Sequence, residues 1–220
     1  MADVKSSRKY SSPLRDNQAA QTRDRILRAA GDLFLERGYA RTTMKDIAEA
    51  AGVARDTVHA AFGSKARVLT ALIDVRLVPD GTVANVTERP EGRAIRTETD
   101  QRRQIALLAD FLAGMSTRLR PVFEILRTAS AVEPEMAAVF SEMDRFRMRN
   151  MQTYARWIAA RGPLRMSTRK AGEVIWALAS PDVGRMLCEE LGWSQRDHAR
   201  WLADTLTRSL LPDGEVAFRP

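Results

Sequence analysis

"AGVARDTVHAAFGSK", residues 51–65, is the stretch on which the reading of this chain turns. A Gly52-Val53 step leads into a short helix whose first turn carries Arg55, Asp56 and Thr57, and a Gly63-Ser64-Lys65 step ends it. Val58 and Phe62, four residues apart, give that helix one buried side. The opposite side is polar and begins with a cation. Helix N-termini carry partial positive charge, so they favour acids and leave cations to the far end. Arg55 is therefore ill-placed for an isolated helix, and an anion outside the helix would explain it.

The pattern extends in both directions. Upstream, "RTTMKDIAEAAGV" sets Thr43 three residues before Asp46, the spacing of a capping box, ahead of apolar Ile47 and Ala48. It predicts a short helix that ends near Ala51 with Gly52 as the turn. Further upstream, Ile26, Leu27, Ala30, Leu33 and Phe34 share one helical face. That helix is expected to start at a Thr22 cap and stop at a left-handed Gly38. Downstream, Ser64 can cap a fourth helix, made apolar by Val68, Leu69, Leu72, Ile73 and Val75.

Two short helices joined by a glycine turn, with small Ala48 and Ala51 where they cross, describe a helix-turn-helix. The second helix of such a unit lies in the major groove with its first residues against base edges. There Arg55 can donate two hydrogen bonds to a guanine edge, and Asp56 can accept from a cytosine amino group. Thr57 can meet phosphate or a thymine methyl, and His59 falls on the same exposed side. Taken alone, a short helix of mixed charge is also read as an ordinary solvated surface helix.

The charge distribution favours the first reading. The 220 residues carry a formal net charge of +7, and this excess lies mainly near the start. Residues 1–77 hold 14 Lys/Arg against 9 Asp/Glu, whereas residues 78–220 hold 21 against 19. A basic module of this kind suits a polyanionic partner. The single cysteine, Cys188, excludes an intrachain disulfide or cysteine zinc cluster, and two histidines give no metal spacing. No cofactor or metal is expected. Nor is there a nucleophile–base pair or a glycine-rich phosphate loop, so an enzyme is not expected either. No run nears 18 apolar residues and the start has no apolar leader core, which points to the cytoplasm and to no membrane partner.

Residues 22–74, "TRDRILRAAGDLFLERGYARTTMKDIAEAAGVARDTVHAAFGSKARVLTALID", resemble the DNA-binding domain of the tetracycline-repressor (TetR) family of bacterial regulators. The resemblance rests on "ILRAAGDLFLERGY", on "TTMKDIAEAAGV" and on the Phe62-Gly63-Ser64-Lys65 step. It implies an all-α chain: a three-helix reading head, joined by a fourth helix to a larger helical domain for effector binding and dimerisation. The expected partners are operator DNA, a small-molecule effector and a second copy of the chain. By the resemblance, Thr43 and Lys45 contact phosphate or a flanking base, Arg55, Asp56, Thr57 and His59 face the groove, and Lys65 meets the DNA backbone. Two positions depart from the family. Ala54 stands where Ser or Thr commonly caps the recognition helix, and His59 stands where tyrosine is favoured, with Ala61 too short to reach far. A helical interaction protein with a degenerate head is the alternative these departures leave open.

The expected organisation is a flexible basic arm (1–20), the head (21–77), a linker loop rich in Pro, Gly and Thr (78–98) and the larger helical domain (99–213). In that domain Ile105, Leu108, Phe111, Leu112 and Met115 predict one helix, and Val122, Phe123, Leu126 and Ala129 another that opens at Pro121. A longer helix from about Pro134 to Ala160 carries Met143, Arg147, Asn150 and Tyr154 on one face. With Phe111, Met115 and Phe123 they make a candidate ligand site, since pockets are mostly apolar with a few convergent polar groups. For pairing with a second copy the last two helices offer Val174, Ile175, Leu178, Trp201, Leu202, Thr205 and Leu206. Both sets are equally compatible with ordinary core.

Overall fold

The computed structural model describes residues 13–77 and 86–212. Among them there are helices and turns and no strand. Two compact units share the chain, the first ending at Ile73 and the second beginning at Asp74.

The first unit is built from α1 (Pro13–Arg37), α2 (Met44–Ala51), α3 (Arg55–Phe62) and most of α4 (Lys65–Leu77). Its core is the set the periodicity picked out. Ile26, Leu27, Ala30, Leu33 and Phe34 of α1 meet Ile47 of α2, Val58 and Phe62 of α3, and Val68, Leu69, Leu72 and Ile73 of α4, all buried. Burying each large side chain contributes about 1.5–3 kcal/mol, far more than any local propensity in an eight-residue helix. Val75, expected on the apolar face, is 48% exposed.

The turns follow the sequence. Gly38 and Gly52 sit at φ +80° and +64°, the left-handed conformation that side chains beyond glycine rarely adopt. Thr42 supplies a device the periodicity did not show: fully buried, it donates its hydroxyl to the carbonyl oxygens of Gly38 at 2.9 Å and Leu33 at 3.3 Å. The start of α1 differs from expectation. The helix already runs at Pro13, so Thr22 lies inside it and is no cap, and residues 13–20 of the expected arm are helical. Proline suits a first helical turn, and nothing from Leu14 to Gln21 breaks the helix after it. Residues 1–12 and 213 lie outside the described residues.

The second unit contains a 3₁₀ turn (Val86–Glu88), α5 (Pro90–Thr97), α6 (Gln101–Ser130), α7 (Pro134–Ala159), α8 (Thr168–Leu178), α9 (Pro181–Arg185), a π-helical turn (Met186–Glu190) and α10 (Gln195–Leu210). Two expectations are corrected. The expected linker is helical over Pro90–Thr97, because Ile95 is driven into the core and Gln104 Nε2 donates to its carbonyl at 2.8 Å. Residues 78–85 of that linker lie outside the described residues.

Pro121, expected to open a helix, sits inside the continuous α6. An interior proline costs about 3 kcal/mol. On either side of it Ile105, Leu108, Phe111, Leu119, Val122, Ile125 and Leu126 are buried along one helix, and that burial outweighs a single lost hydrogen bond. Pro134 and Pro181 do occupy first turns, and Ser180 caps α9 by accepting from Val183 N at 3.2 Å. α6 packs against α7, α9 and α10, and α7 against α8, around a core that includes Ile105, Leu108, Tyr154, Ile158, Ile175, Leu202 and Leu206.

Candidate nucleic-acid interface and effector cavity

Helix α3 begins without a side-chain cap, Ala54 lying in extended backbone at φ −67° and ψ 147°. Such a cap is worth about 0.5–2 kcal/mol, so α3 has to be held elsewhere. Val58 and Phe62 are buried in the core, and side-chain contacts reinforce the far end. Arg23 of α1 lays its guanidinium over the Phe62 ring, 4.3 Å from the centroid, and Nη1 donates to the Ala61 carbonyl at 3.3 Å. His59 places Nδ1 3.1 Å from the Gly63 carbonyl oxygen. Lys65 Nζ donates to the Tyr39 carbonyl at 3.0 Å and lies 4.2 Å from the centre of the Tyr39 ring, fixing the start of α4. Periodicity had no means of finding Arg23, because it acts across 38 residues of sequence.

The seven residues expected at the DNA fall into two groups. Arg55, Asp56 and Thr57 are exposed in the first turn of α3 and make no side-chain hydrogen bond or ion pair among the described residues. Lys45 is exposed and reaches Glu49 at 3.6 Å, one turn on; an exposed pair of this kind is worth under about 1 kcal/mol and is easily exchanged for a phosphate. The other three have work inside the head. Thr43 closes the expected capping box: its hydroxyl accepts from Asp46 N at 3.2 Å and donates its one proton to Asp46 Oδ2 at 2.7 Å. The Thr43 hydroxyl and the Thr43 backbone N–H, which donates to the same Oδ2 at 2.8 Å, hold the Asp46 carboxyl below its ordinary value. His59 turns one ring nitrogen to Gly63, and Lys65 is half-buried against Tyr39 rather than projecting.

In the second unit, all seven candidate ligand residues line one cavity of about 110 Å³: Phe111, Met115 and Phe123 from α6, and Met143, Arg147, Asn150 and Tyr154 from α7. Leu112, Leu119 and Met151 complete a mostly apolar wall. Arg147 is the one charged group in it. Its Nη1 donates to the Trp176 carbonyl at 2.7 Å, Nη2 lies 3.3 Å from Asp144 Oδ1, and the guanidinium stacks 4.4 Å from the Trp176 ring centre. Burial pushes this guanidinium below its ordinary value, against the pull of Asp144. Tyr154 is wholly buried between Phe111 and Trp157, and burial raises its phenol. A second, more polar cavity of about 370 Å³ shares Phe123, Arg147 and Pro181 with the first.

Candidate pairing residues also divide. Ile175, Leu202 and Leu206 have no exposed surface and close the unit's own core, so they are corrected here: they have nothing to offer a second copy. Val174, Leu178, Trp201 and Thr205 are half-buried and keep surface outward.

Residues 26–72 match the family model described as bacterial regulatory proteins, tetR family. The head thus carries a tetR-type domain. Over 57 residues it is 47% identical to the HTH-type transcriptional regulator TtgR of Pseudomonas putida, a match covering 26% of this chain and 27% of TtgR. The chain thus matches about a quarter of the length of that relative. It is 26% identical over 201 residues to the HTH-type transcriptional repressor BepR of Brucella suis, covering 88% of this chain and 93% of BepR. Among solved structures, SmeT of Stenotrophomonas maltophilia in complex with triclosan superposes with a TM-score of 0.68 at 23% identity, over 91% of this chain and 98% of that one. NalD, a secondary repressor of a multidrug efflux pump in Pseudomonas aeruginosa, gives 0.66 at 24%, over 90% and 100%. These likenesses establish an all-helical tetR-type fold along nearly the whole chain. Among the described residues no helix is long and apolar enough to cross a membrane.

Proposed function

We propose that this chain is a sequence-specific DNA-binding transcriptional regulator: a homodimeric repressor that a small molecule releases from its operator. One observation carries the proposal. The leading turn of α3 presents Arg55, Asp56 and Thr57 to solvent with no side-chain partner in the head, while Val58 and Phe62 anchor the helix in the core and the side-chain contacts of Arg23 and His59 gather at its other end. This arrangement suits a helix that inserts N-terminus first into a major groove. Arg55 then reads a guanine edge, Asp56 a cytosine amino group, and Lys45 positions the head on phosphate without choosing sequence.

Two copies related by a two-fold axis would read half-sites about one helical turn apart, roughly 34–36 Å. The outward surface of Val174, Leu178, Trp201 and Thr205 supports pairing. The shared cavities of the second unit support effector binding, and a preference of about 1–3 kcal/mol for one head arrangement suffices to shift occupancy. BepR, aligned along most of this chain, is named a repressor, which supports that sign of regulation.

Selection of duplexes from a random pool, followed by fluorescence anisotropy on the selected sequence, tests this reading. Specific binding is expected to exceed binding to scrambled duplex by at least about 10³-fold and to weaken steeply with salt, by a slope of about −0.9 per phosphate neutralised. A chain that selects no sequence would be the helical interaction protein, and the proposal would fail.

A further inference from the structure

The second turn of α3 carries a group whose protons can be placed. His59 Nδ1 lies 3.1 Å from the Gly63 carbonyl oxygen. A carbonyl oxygen only accepts, so Nδ1 is the nitrogen that carries the proton of the neutral ring. The bond thereby fixes the tautomer and leaves Nε2 as a bare lone pair, the one place a second proton can go. Nε2 has no partner among the described residues, and the ring is exposed. His59 follows exposed Arg55 by four residues, so the two side chains share one stripe of the helix.

That placement names the contact. One turn of helix rises about 5.4 Å. With the leading turn among base edges, His59 stands one turn back, toward the groove wall and its phosphate oxygens. Those oxygens only accept. A bare Nε2 would face them lone pair to lone pair, whereas a protonated Nε2 donates a charge-assisted hydrogen bond. The head can hold that proton without rearranging: Nδ1 keeps its bond to Gly63, and the ring lies in the last turn of α3, where the helix end favours a cation. The countercharge is not in the head. The cations on the elements around the ring are Arg55 of α3, Arg23 of α1, Lys45 of α2, and Lys65 and Arg67 of α4. Of the acids there, Asp46 is engaged by Thr43 and Glu49 by Lys45, and Asp56 makes no ion pair among the described residues. A phosphate supplies what the head lacks.

We infer that DNA binding by this head is linked to proton uptake: on binding, His59 Nε2 takes one proton from solvent and, as an N–H, donates a hydrogen bond to a phosphate oxygen. The leading turn of α3 reads bases at any pH, and the second turn clamps the backbone more firmly as pH falls. The inference deepens the DNA reading above and rests on it. Its own signature is a pH profile of affinity, which a histidine that merely ties α3 to Gly63 does not produce.

The test is fluorescence anisotropy of the full chain with its selected duplex at about pH 6, about pH 7 and about pH 8, all at one ionic strength. An ordinary imidazole titrates across this range, and affinity is expected to be about three- to tenfold higher per head at the acid end than at the alkaline end. His59→Gln keeps a neutral donor and has nothing to titrate, so it should lose that factor. His59→Arg is charged throughout; it should lose the factor too, and at the alkaline end it should bind more tightly than wild type. Both variants retain His198, the chain's other histidine, so any acid effect arising in the second unit stays common to all three proteins. A wild-type profile that is flat or rises toward alkali, or a slope that both folded variants keep, would overturn the assignment and leave sequence-specific binding standing. Binding of no duplex at any pH would overturn the DNA reading itself, and this assignment with it.

Discussion

The two units of this chain deal with unpaired polar groups in opposite ways. The head carries them outside, on the leading turn of α3, where Arg55, Asp56 and Thr57 are hydrated until something displaces the water. The larger unit carries them inside, at Arg147, Trp176, Arg185 and Tyr154. An exposed donor costs nothing to leave waiting and gains most from a long polyanion that replaces its water at many points. A buried donor is costly to leave unpaired, by about 1–3 kcal/mol. On the proposed function, a macromolecular partner belongs at the first unit and a small one at the second.

Several measurements would break or sharpen that contrast. The largest effect is expected where the larger unit is pure core. Leu202→Ala should cost about 2–5 kcal/mol of stability, read by chemical denaturation, because Leu202 is fully buried beside Ile175 and Leu206. A loss below 1 kcal/mol would return these residues to an intersubunit surface.

Next comes Arg55→Ala. Loss of a bidentate base contact should cost about 1–3 kcal/mol of binding to a selected operator and relax the preference at one base pair, with the thermal midpoint unchanged. Unaltered affinity would show that the leading turn is merely solvated. Ala54→Ser restores the missing cap to α3 in the extended backbone geometry that a cap needs. It should stabilise the head by about 0.5–2 kcal/mol, read as a higher thermal midpoint. No gain would mean that the grip of Arg23, His59 and Lys65 at the far end already fixes the whole helix.

The smallest effect is a pH dependence. His198 is 1% exposed, neither ring nitrogen has a partner among the described residues, and burial holds its imidazole below the ordinary value of 6.5. As pH falls through that value, the unfolded chain takes up the proton before the folded one does. Stability is then lost toward acid. Melting curves at about pH 7.5 and about pH 5.5 should show a decline that His198→Gln flattens. An unchanged slope would locate the acid sensitivity elsewhere.

The sequence by itself settled the head. A capping box at Thr43 and Asp46, left-handed turns at Gly38 and Gly52, and four-residue spacing of Val58 and Phe62 are contacts between near neighbours, and each residue type has one economical place. The α7 face was legible for the same reason: Met143, Arg147, Asn150 and Tyr154 recur at helical spacing, and they do share a cavity. Tertiary structure alone decided the rest. It carried α6 through Pro121, folded Pro90–Thr97 onto the core, turned Ile175, Leu202 and Leu206 inward, and gave Lys65 to Tyr39 and Arg23 to Phe62. In each case the deciding partner lies far along the chain, and burial against it outweighs any preference of the local segment.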